Sequence, residues 1–244
     1  MRQRRTVLSV CCAALVLLGA TACESEDGGG DGAKGSPSAT ATHAARVPVP
    51  EKLDADGTTI HVGRPGAASA MHLYEDPRCP VCKDFEDSDG ADVLRASTAA
   101  GDVRTDYTLA SFLDDGLGGG GSKRAVNALR AALEEGHFAA YHDVLYANQP
   151  EERTDGFTTA RLLALARKVE GLRGPAFDKA VRTMRYADFV TASEKAMERD
   201  GIQGTPGFVL DGRLIASGTS EKVTSGTGMA LTLGSAGGAP LKAS

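Results

Sequence analysis

Tyr74-Glu75-Asp76-Pro77-Arg78-Cys79-Pro80-Val81-Cys82 is the stretch from which the fold can be read. Just ahead of its cysteines, Ala70 to Tyr74 is a strand-like run. An earlier one, Thr58 to Val62, lies across the turn-rich Gly63-Arg64-Pro65-Gly66. Behind the first cysteine, Pro80 suits the first turn of a helix, where its missing N–H is not needed. That helix can run to about Ala99, with a break at Asp89-Gly90, and Val103 to Leu109 reads as the next strand. Strand, helix and strand make a βαβ unit, and the dithiol sits at its strand-to-helix junction.

A Cys-x-x-Cys pair in that position is a redox device for physical reasons. The first cysteine meets unpaired backbone N–H groups and the positive end of the helix dipole, which favour an anion. Its pKa then falls from about 8.5 toward about 3.5–7.5, so thiolate exists at neutral pH. The second cysteine, one turn on, attacks the mixed disulfide and releases the partner. Cys79 is therefore expected to be the nucleophile and Cys82 the resolving thiol. A zinc site would need further ligands. The chain has no second Cys-x-x-Cys, and His137 and His142, at i and i+5, do not share a helix face. They read as surface or partly packed residues, and no metal or other cofactor is expected.

Residues 122 to 200 form a helical block, with Ala125, Leu129, Ala132 and Leu133, and then Leu162, Leu163, Leu165, Ala166 and Val169, at helical spacing. Phe138–Leu145 and Phe177–Asp200 add further helix. Gly204-Thr205-Pro206-Gly207 then leads into a strand, Phe208-Val209-Leu210. The tight turn Asp211-Gly212 and a second strand, Arg213-Leu214-Ile215, complete a hairpin. Beyond Ser217, Val223 to Leu233 reads as either a poor helix or a strand, and residues 236–244 as a disordered tail.

The N-terminal quarter reads differently. Arg2, Arg4 and Arg5 precede an apolar run from Val7 to Leu18, the small residues Gly19–Ala22, and Cys23. This is the layout of an export signal over 1–23, too short in its apolar part for an ordinary spanning helix. Arg4-Arg5 also resembles a twin-arginine signal, so Sec and Tat export both stay open. The residues before Cys23 resemble a lipoprotein box, although Ala20 stands where leucine is usual. Cleavage near Ala20-Thr21-Ala22 would instead release a soluble protein. An acylated Cys23 would tether the chain to the outer face of the cell membrane. The Gly-, Ser- and Pro-rich stretch after it, 24–52, reads as a disordered linker, followed by one folded domain over 53–235. Once the signal and Cys23 are set aside, Cys79 and Cys82 are the only cysteines left, so structural disulfides are not in use. Net charge is −5, with no Lys/Arg stripe carrying interleaved aromatics, so nucleic acid is not an expected partner.

The run Tyr74–Cys82, together with Gly204-Thr205-Pro206-Gly207, resembles the DsbA-like thioredoxin-fold proteins of actinobacteria. Ser122 with Ala125-Val126-Asn127-Ala128, and Tyr141 through Pro150, resemble that family's helical region. The resemblance spans about 58 to 215. It implies an α/β, thioredoxin-like fold, a central mixed sheet flanked by helices, with a long helical insertion at about 122–200. It implies that the Thr205–Pro206 bond is cis, lies across from the dithiol and presents the Thr205 backbone to a substrate strand. Asp76, Pro80 and Val81 would flank the dithiol.

Two departures qualify the likeness. Leu73 stands six residues before Cys79, where many such enzymes bury an acid, so proton transfer falls to water, Glu75 or Asp76, and either carboxylate could equally lie at the surface. Pro80-Val81 lacks the histidine of the most oxidising relatives, which implies a milder oxidant. The activity implied is a disulfide donor to exported proteins bearing thiols, recycled by a membrane redox partner. The alternatives are a reductase or isomerase of the same fold, or a non-enzymatic lipoprotein that binds protein or metal.

Overall fold

Alternating apolar positions put one strand in the middle of the molecule. Ser69–Glu75 (β3) sends Met71 and Leu73 into the main core and Tyr74 into a second cluster with Ala110, Met197 and Ile202. A strand buried on both faces belongs inside a sheet, flanked by strands on each side. In the structure, a computed structural model that describes residues 49–218 and 220–237, β3 lies between Val103–Leu109 (β4) and Gly207–Leu210 (β5). With Glu51–Leu53 (β1), Ile60–Val62 (β2) and Arg213–Ser217 (β6), these form one sheet in the order β1-β2-β4-β3-β5-β6. Only the β3–β4 pair is parallel, as a βαβ crossover requires, with Ser69 opposite Val103 and Glu75 opposite Leu109. The fold is the expected α/β, thioredoxin-like one.

The crossover contains two helices, Pro80–Glu86 (α1) and Asp89–Ala100 (α2). The break comes at Asp87–Ser88, just ahead of the expected Asp89-Gly90, because Ser88 accepts a hydrogen bond from the Ala91 N–H and caps α2. Gly90 lies inside α2, where a Cβ would stand 1.8 Å from the Val223 carbonyl oxygen. The insertion begins with Leu113–Leu117 (α3) and continues through Gly121–Glu134 (α4), Phe138–Ala147 (α5), Thr159–Leu165 (α6), Pro175–Arg182 (α7) and Ala187–Arg199 (α8). Beyond Ser217 the chain is helical, Glu221–Thr224 (α9) and Gly226–Gly237 (α10), and Val223, Met229 and Leu233 are buried in the main core.

Two boundaries need correction. Residues 51 and 52, expected in the linker 24–52, belong to β1, which pairs with β2. The Glu51 carboxylate accepts from the N–H groups of Phe138 and Ala139 at 2.7 and 2.8 Å, so it is held by the first turn of α5. Residues 236 and 237, expected in the tail, close α10. The export signal, Cys23, linker residues 24–48 and tail residues 238–244 lie outside the described residues. Among the described residues no helix is long and apolar enough to cross a membrane.

Candidate functional site

The C-terminal end of β3 delivers the chain into a turn closed by the Cys79 N–H donating to the Asp76 carbonyl at 2.9 Å. Cys79 is the N-cap of α1 and Pro80 its first residue. Because β5 pairs antiparallel with β3, setting Tyr74 opposite Gly207, the residues before Gly207 face the same end of the sheet. The Thr205–Pro206 peptide is cis, and Cys79 Sγ lies 3.4 Å from the Thr205 carbonyl oxygen. Sheet register thus brings together two motifs far apart in the chain.

The two thiols are unequal. Cys79 keeps 7% exposure and Cys82 none. Cys79 is pulled down from 9.0 to about 6, chiefly by a hydrogen bond from the Cys82 thiol. Burial opposes this, while the Thr205 side chain and the backbone N–H groups of Cys82 and Val81 reinforce it. Burial and the neighbouring Cys79 push Cys82 well above the usual thiol range. Neither cysteine is in a disulfide here, and at neutral pH these opposite shifts favour a Cys79 thiolate beside a protonated Cys82. Pro80 is exposed at the mouth of the site, and the half-buried Val81 packs on the cluster of Cys79, Cys82 and Tyr146.

Asp76 and Glu75 are not surface carboxylates; both are fully buried. Asp76 Oδ1 accepts from the Arg78 N–H at 2.9 Å and from Ser122 Oγ at 2.6 Å, and Oδ2 accepts from the Leu113 N–H at 3.1 Å. Burial still raises its carboxyl to about 7, against these hydrogen bonds. Asp76 therefore fixes the turn before Cys79 and ties it to the insertion. His142 is buried too, against the expectation of a surface or partly packed ring, and its Nε2 stands 2.8 Å from Glu75 Oε2. His137 is half-buried at the start of α5. Among the described residues the side chains close enough together to hold a metal ion are Glu75, Glu86 and His142, a set without the dithiol.

Several residues around the site were given no role in the sequence reading. Arg78, buried, donates through Nη1 to Asp114 Oδ1 at 2.7 Å and to the Gly118 carbonyl at 3.0 Å, and through Nη2 to the Glu152 carbonyl at 2.8 Å. Gln149 Nε2 donates to the Pro77 and Cys79 carbonyls, both at 2.9 Å, and Tyr146 Oη donates to the Asp76 carbonyl at 3.3 Å. The run Tyr141–Pro150 hinted at the last two; for Arg78 only its place next to Cys79 was a signal.

Residues 55–226 match the family model described as Thioredoxin. No curated protein matches the chain. Among solved structures, the reduced disulfide bond oxidoreductase DsbG of Mycobacterium tuberculosis is 23% identical with a TM-score of 0.60, over 74% of this chain and 85% of its own. BdbD of Bacillus subtilis is 19% identical with a TM-score of 0.63, over 76% and 96%. Oxidised DsbA of M. tuberculosis is 22% identical with a TM-score of 0.60, over 79% and 94%. These likenesses are of fold.

Proposed function

The chain belongs to the thioredoxin family, and on that premise we propose that it is a thiol–disulfide oxidoreductase that donates the Cys79–Cys82 disulfide to exported proteins. One observation carries this: Cys79 is held near 6 at a helix N-terminus, with the buried Cys82 thiol and the backbone N–H groups of Cys82 and Val81 as hydrogen-bond donors to it.

A substrate thiolate attacks Cys79 Sγ, the accessible sulfur of the disulfide, and Cys82 leaves with the electron pair. A second substrate thiolate attacks the substrate's sulfur in the mixed disulfide and expels Cys79, a good leaving group because its thiolate is stabilised. The substrate gains a disulfide and the enzyme is left as dithiol, to be reoxidised by a membrane partner. The same stabilisation favours the reduced enzyme, which makes the disulfide form oxidising. Val81 adds no charge, so the oxidant is milder than one with histidine there. On this reading Cys23 anchors the protein at the outer face of the membrane.

Unfolding the two redox forms side by side tests the direction. The folded thiol of Cys79 sits at about 6, below its unfolded value of 9.0. The stability it lends the reduced form is therefore complete above pH 9 and lost as pH falls through 6. Between those limits Cys82 stays protonated in both states and is silent, and a disulfide spanning two residues constrains the unfolded chain little. At pH 7 the reduced protein should melt above the oxidised one, by roughly 2–4 °C for each kcal/mol of thiolate stabilisation, and the gap should close toward pH 5. An oxidised form that melts higher at pH 7 would instead mark a reductase.

A further inference from the structure

One side of the helical insertion is charged against the rest of the protein. Residues 158–186 hold seven Lys/Arg and two Asp/Glu, whereas the remainder of 49–237 holds 14 Lys/Arg and 26 Asp/Glu. The segment comprises α6, the short 3₁₀ turn Ala166–Lys168 that extends it, and α7. Both helices bury one apolar side, Leu162, Leu163 and Leu165 from α6 and Phe177, Ala180 and Val181 from α7, which leaves their charged side to solvent. Arg161, Arg167, Lys168, Lys179, Arg182 and Arg185 are all exposed.

These cations form one patch. Arg173 holds Asp178 through two hydrogen bonds of 2.6 Å. The Asp178 carboxyl is lowered first by those bonds and then by the charges of Arg173, Arg182 and Arg167, so the turn, the loop after it and α7 bring their cations together. Arg161 Nη2 and Lys168 Nζ meet at Asn148, donating to its carbonyl at 2.7 Å and to its Oδ1 at 2.8 Å. Asn148 is the C-cap of α5, where cations suit the helix dipole, and that internal role accounts for this pair. The other cations have no such role. Among the described residues, the side chains of Arg167, Lys179 and Arg182 hold no hydrogen bond or salt bridge.

The chemistry of the face selects what it can meet. A protein interface draws its affinity from buried apolar and aromatic anchors. The large exposed apolar side chains of the described residues, Leu214 and Leu231, lie outside this segment. Long unpaired cations without an apolar centre suit a surface of many mobile anions. The remaining surface, with its excess of acids, is repelled by such a surface, so the approach has one orientation. At physiological salt, charges act over about 8 Å, and only the side chains on the facing side count. We propose that the α6–α7 face docks the protein on an anionic lipid surface. This goes beyond the exchange reading and does not rest on it. Asn148, where Arg161 and Lys168 converge, precedes Gln149, which donates to the Cys79 carbonyl, so the patch borders the segment that supports the dithiol. Docking would concentrate the dithiol at the surface where a membrane partner recycles it.

The test mixes the full-length protein with vesicles of phosphatidylglycerol and phosphatidylcholine, or of phosphatidylcholine alone. Amine acylation followed by mass spectrometry then reads each lysine. Lys168 and Lys179 should lose reactivity on the anionic vesicles only, while the exposed Lys195 and Lys222 keep theirs. The apolar run Val7–Leu18 acts alike on both vesicles, so the comparison removes it. The triple variant Arg167→Glu, Lys179→Glu, Arg182→Glu should lose the preference for anionic vesicles by about a hundredfold or more, at roughly fivefold for each cation near such a surface. Salt at about 1 M, where charges act over about 3 Å, should abolish the preference in wild type. Lys195→Glu, Arg199→Glu, Arg213→Glu changes net charge equally, away from the face, and should bind as wild type does. Wild-type melting curves would exclude a folding defect in either triple, and the wild-type footprint decides the matter without a variant. Equal protection on both vesicles, protection of Lys195 and Lys222 in place of Lys168 and Lys179, or equal losses in the two triples would overturn the proposal. So would protection of Lys168 and Lys179 by an acidic protein where anionic vesicles give none. Cys79→Ser should bind these vesicles as wild type does, so a failure of the exchange reading leaves this result standing.

Discussion

Cys79→Ser and Cys82→Ala both reduce disulfide donation to the uncatalysed background, and Cys82→Ala in addition holds substrates that already carry a disulfide as stable mixed disulfides. The difference follows from burial. Cys82 is sealed inside, so an incoming thiolate reaches only Cys79 Sγ, and serine in its place cannot form the mixed disulfide. With Cys82 absent no enzyme disulfide exists to donate, but the Cys79 thiolate can still attack a substrate disulfide, expelling one substrate sulfur as thiolate, and the intramolecular release by Cys82 is missing. Cys82→Ala also removes the strongest hydrogen bond to the Cys79 anion, so its thiol should titrate above 6. Oxidative refolding of a reduced substrate reads the loss of donation, and non-reducing gels after mixing Cys82→Ala with a disulfide-bearing substrate read the trapped species. Refolding by Cys79→Ser at the wild-type rate would remove the dithiol from the chemistry and leave the chain as a thioredoxin-fold binding module.

The second large effect is on stability. Arg78→Ala should cost about 3–5 kcal/mol, the usual loss when one partner of a buried ion pair is removed. The Asp114 side chain is 1% exposed and would be left as an uncompensated buried charge, while the Gly118 and Glu152 carbonyls lose a donor. The consequence reaches the site because Asp114 also accepts from the N–H groups of Ser122 and Lys123, holding the first turn of α4. Arg78 thus joins the turn before Cys79 to the helical insertion. Urea unfolding measures the loss. Replacing the pair together, Arg78→Met with Asp114→Leu, should recover only part of it: no lone charge remains, but the Ser122 and Lys123 N–H groups lose their acceptor.

What could be read from sequence follows from how each signal arises. β4 was expected over Val103 to Leu109 and spans those residues, and β3 extends the expected Ala70–Tyr74 by one residue at each end. Both are seven residues long and follow shortly after a glycine turn, Gly66 ahead of β3 and Gly101 ahead of β4, where pattern is a sound guide. The Asp211-Gly212 turn was legible because both residues adopt positive φ, 47° and 78°, as a tight hairpin demands. Three-residue β1 was not legible. It is too short to show alternation, and Glu51 is held there by the N-terminus of α5, a contact distant in sequence. Polar residues gave the largest errors. Glu75, Asp76, Arg78, Glu86 and His142 carry no mark of burial, and charged side chains are rarely buried unless paired. Their partners (Ser122, Asp114 and Arg95 among them) arrive from other elements only after folding. Helix α10 was ambiguous because its Gly, Ser and Thr lower helix propensity. What decides it is packing of Met229 and Leu233 in the core, together with the close fit of Gly90 against α9.

Titration of Cys79 in the reduced wild-type protein, followed as alkylation rate from pH 4 to 10, bears most directly on whether this helix end holds an anion. The expected curve has its midpoint near 6, with Cys82 unreactive throughout the range. A midpoint near 9, that of an unassisted thiol, would contradict the account.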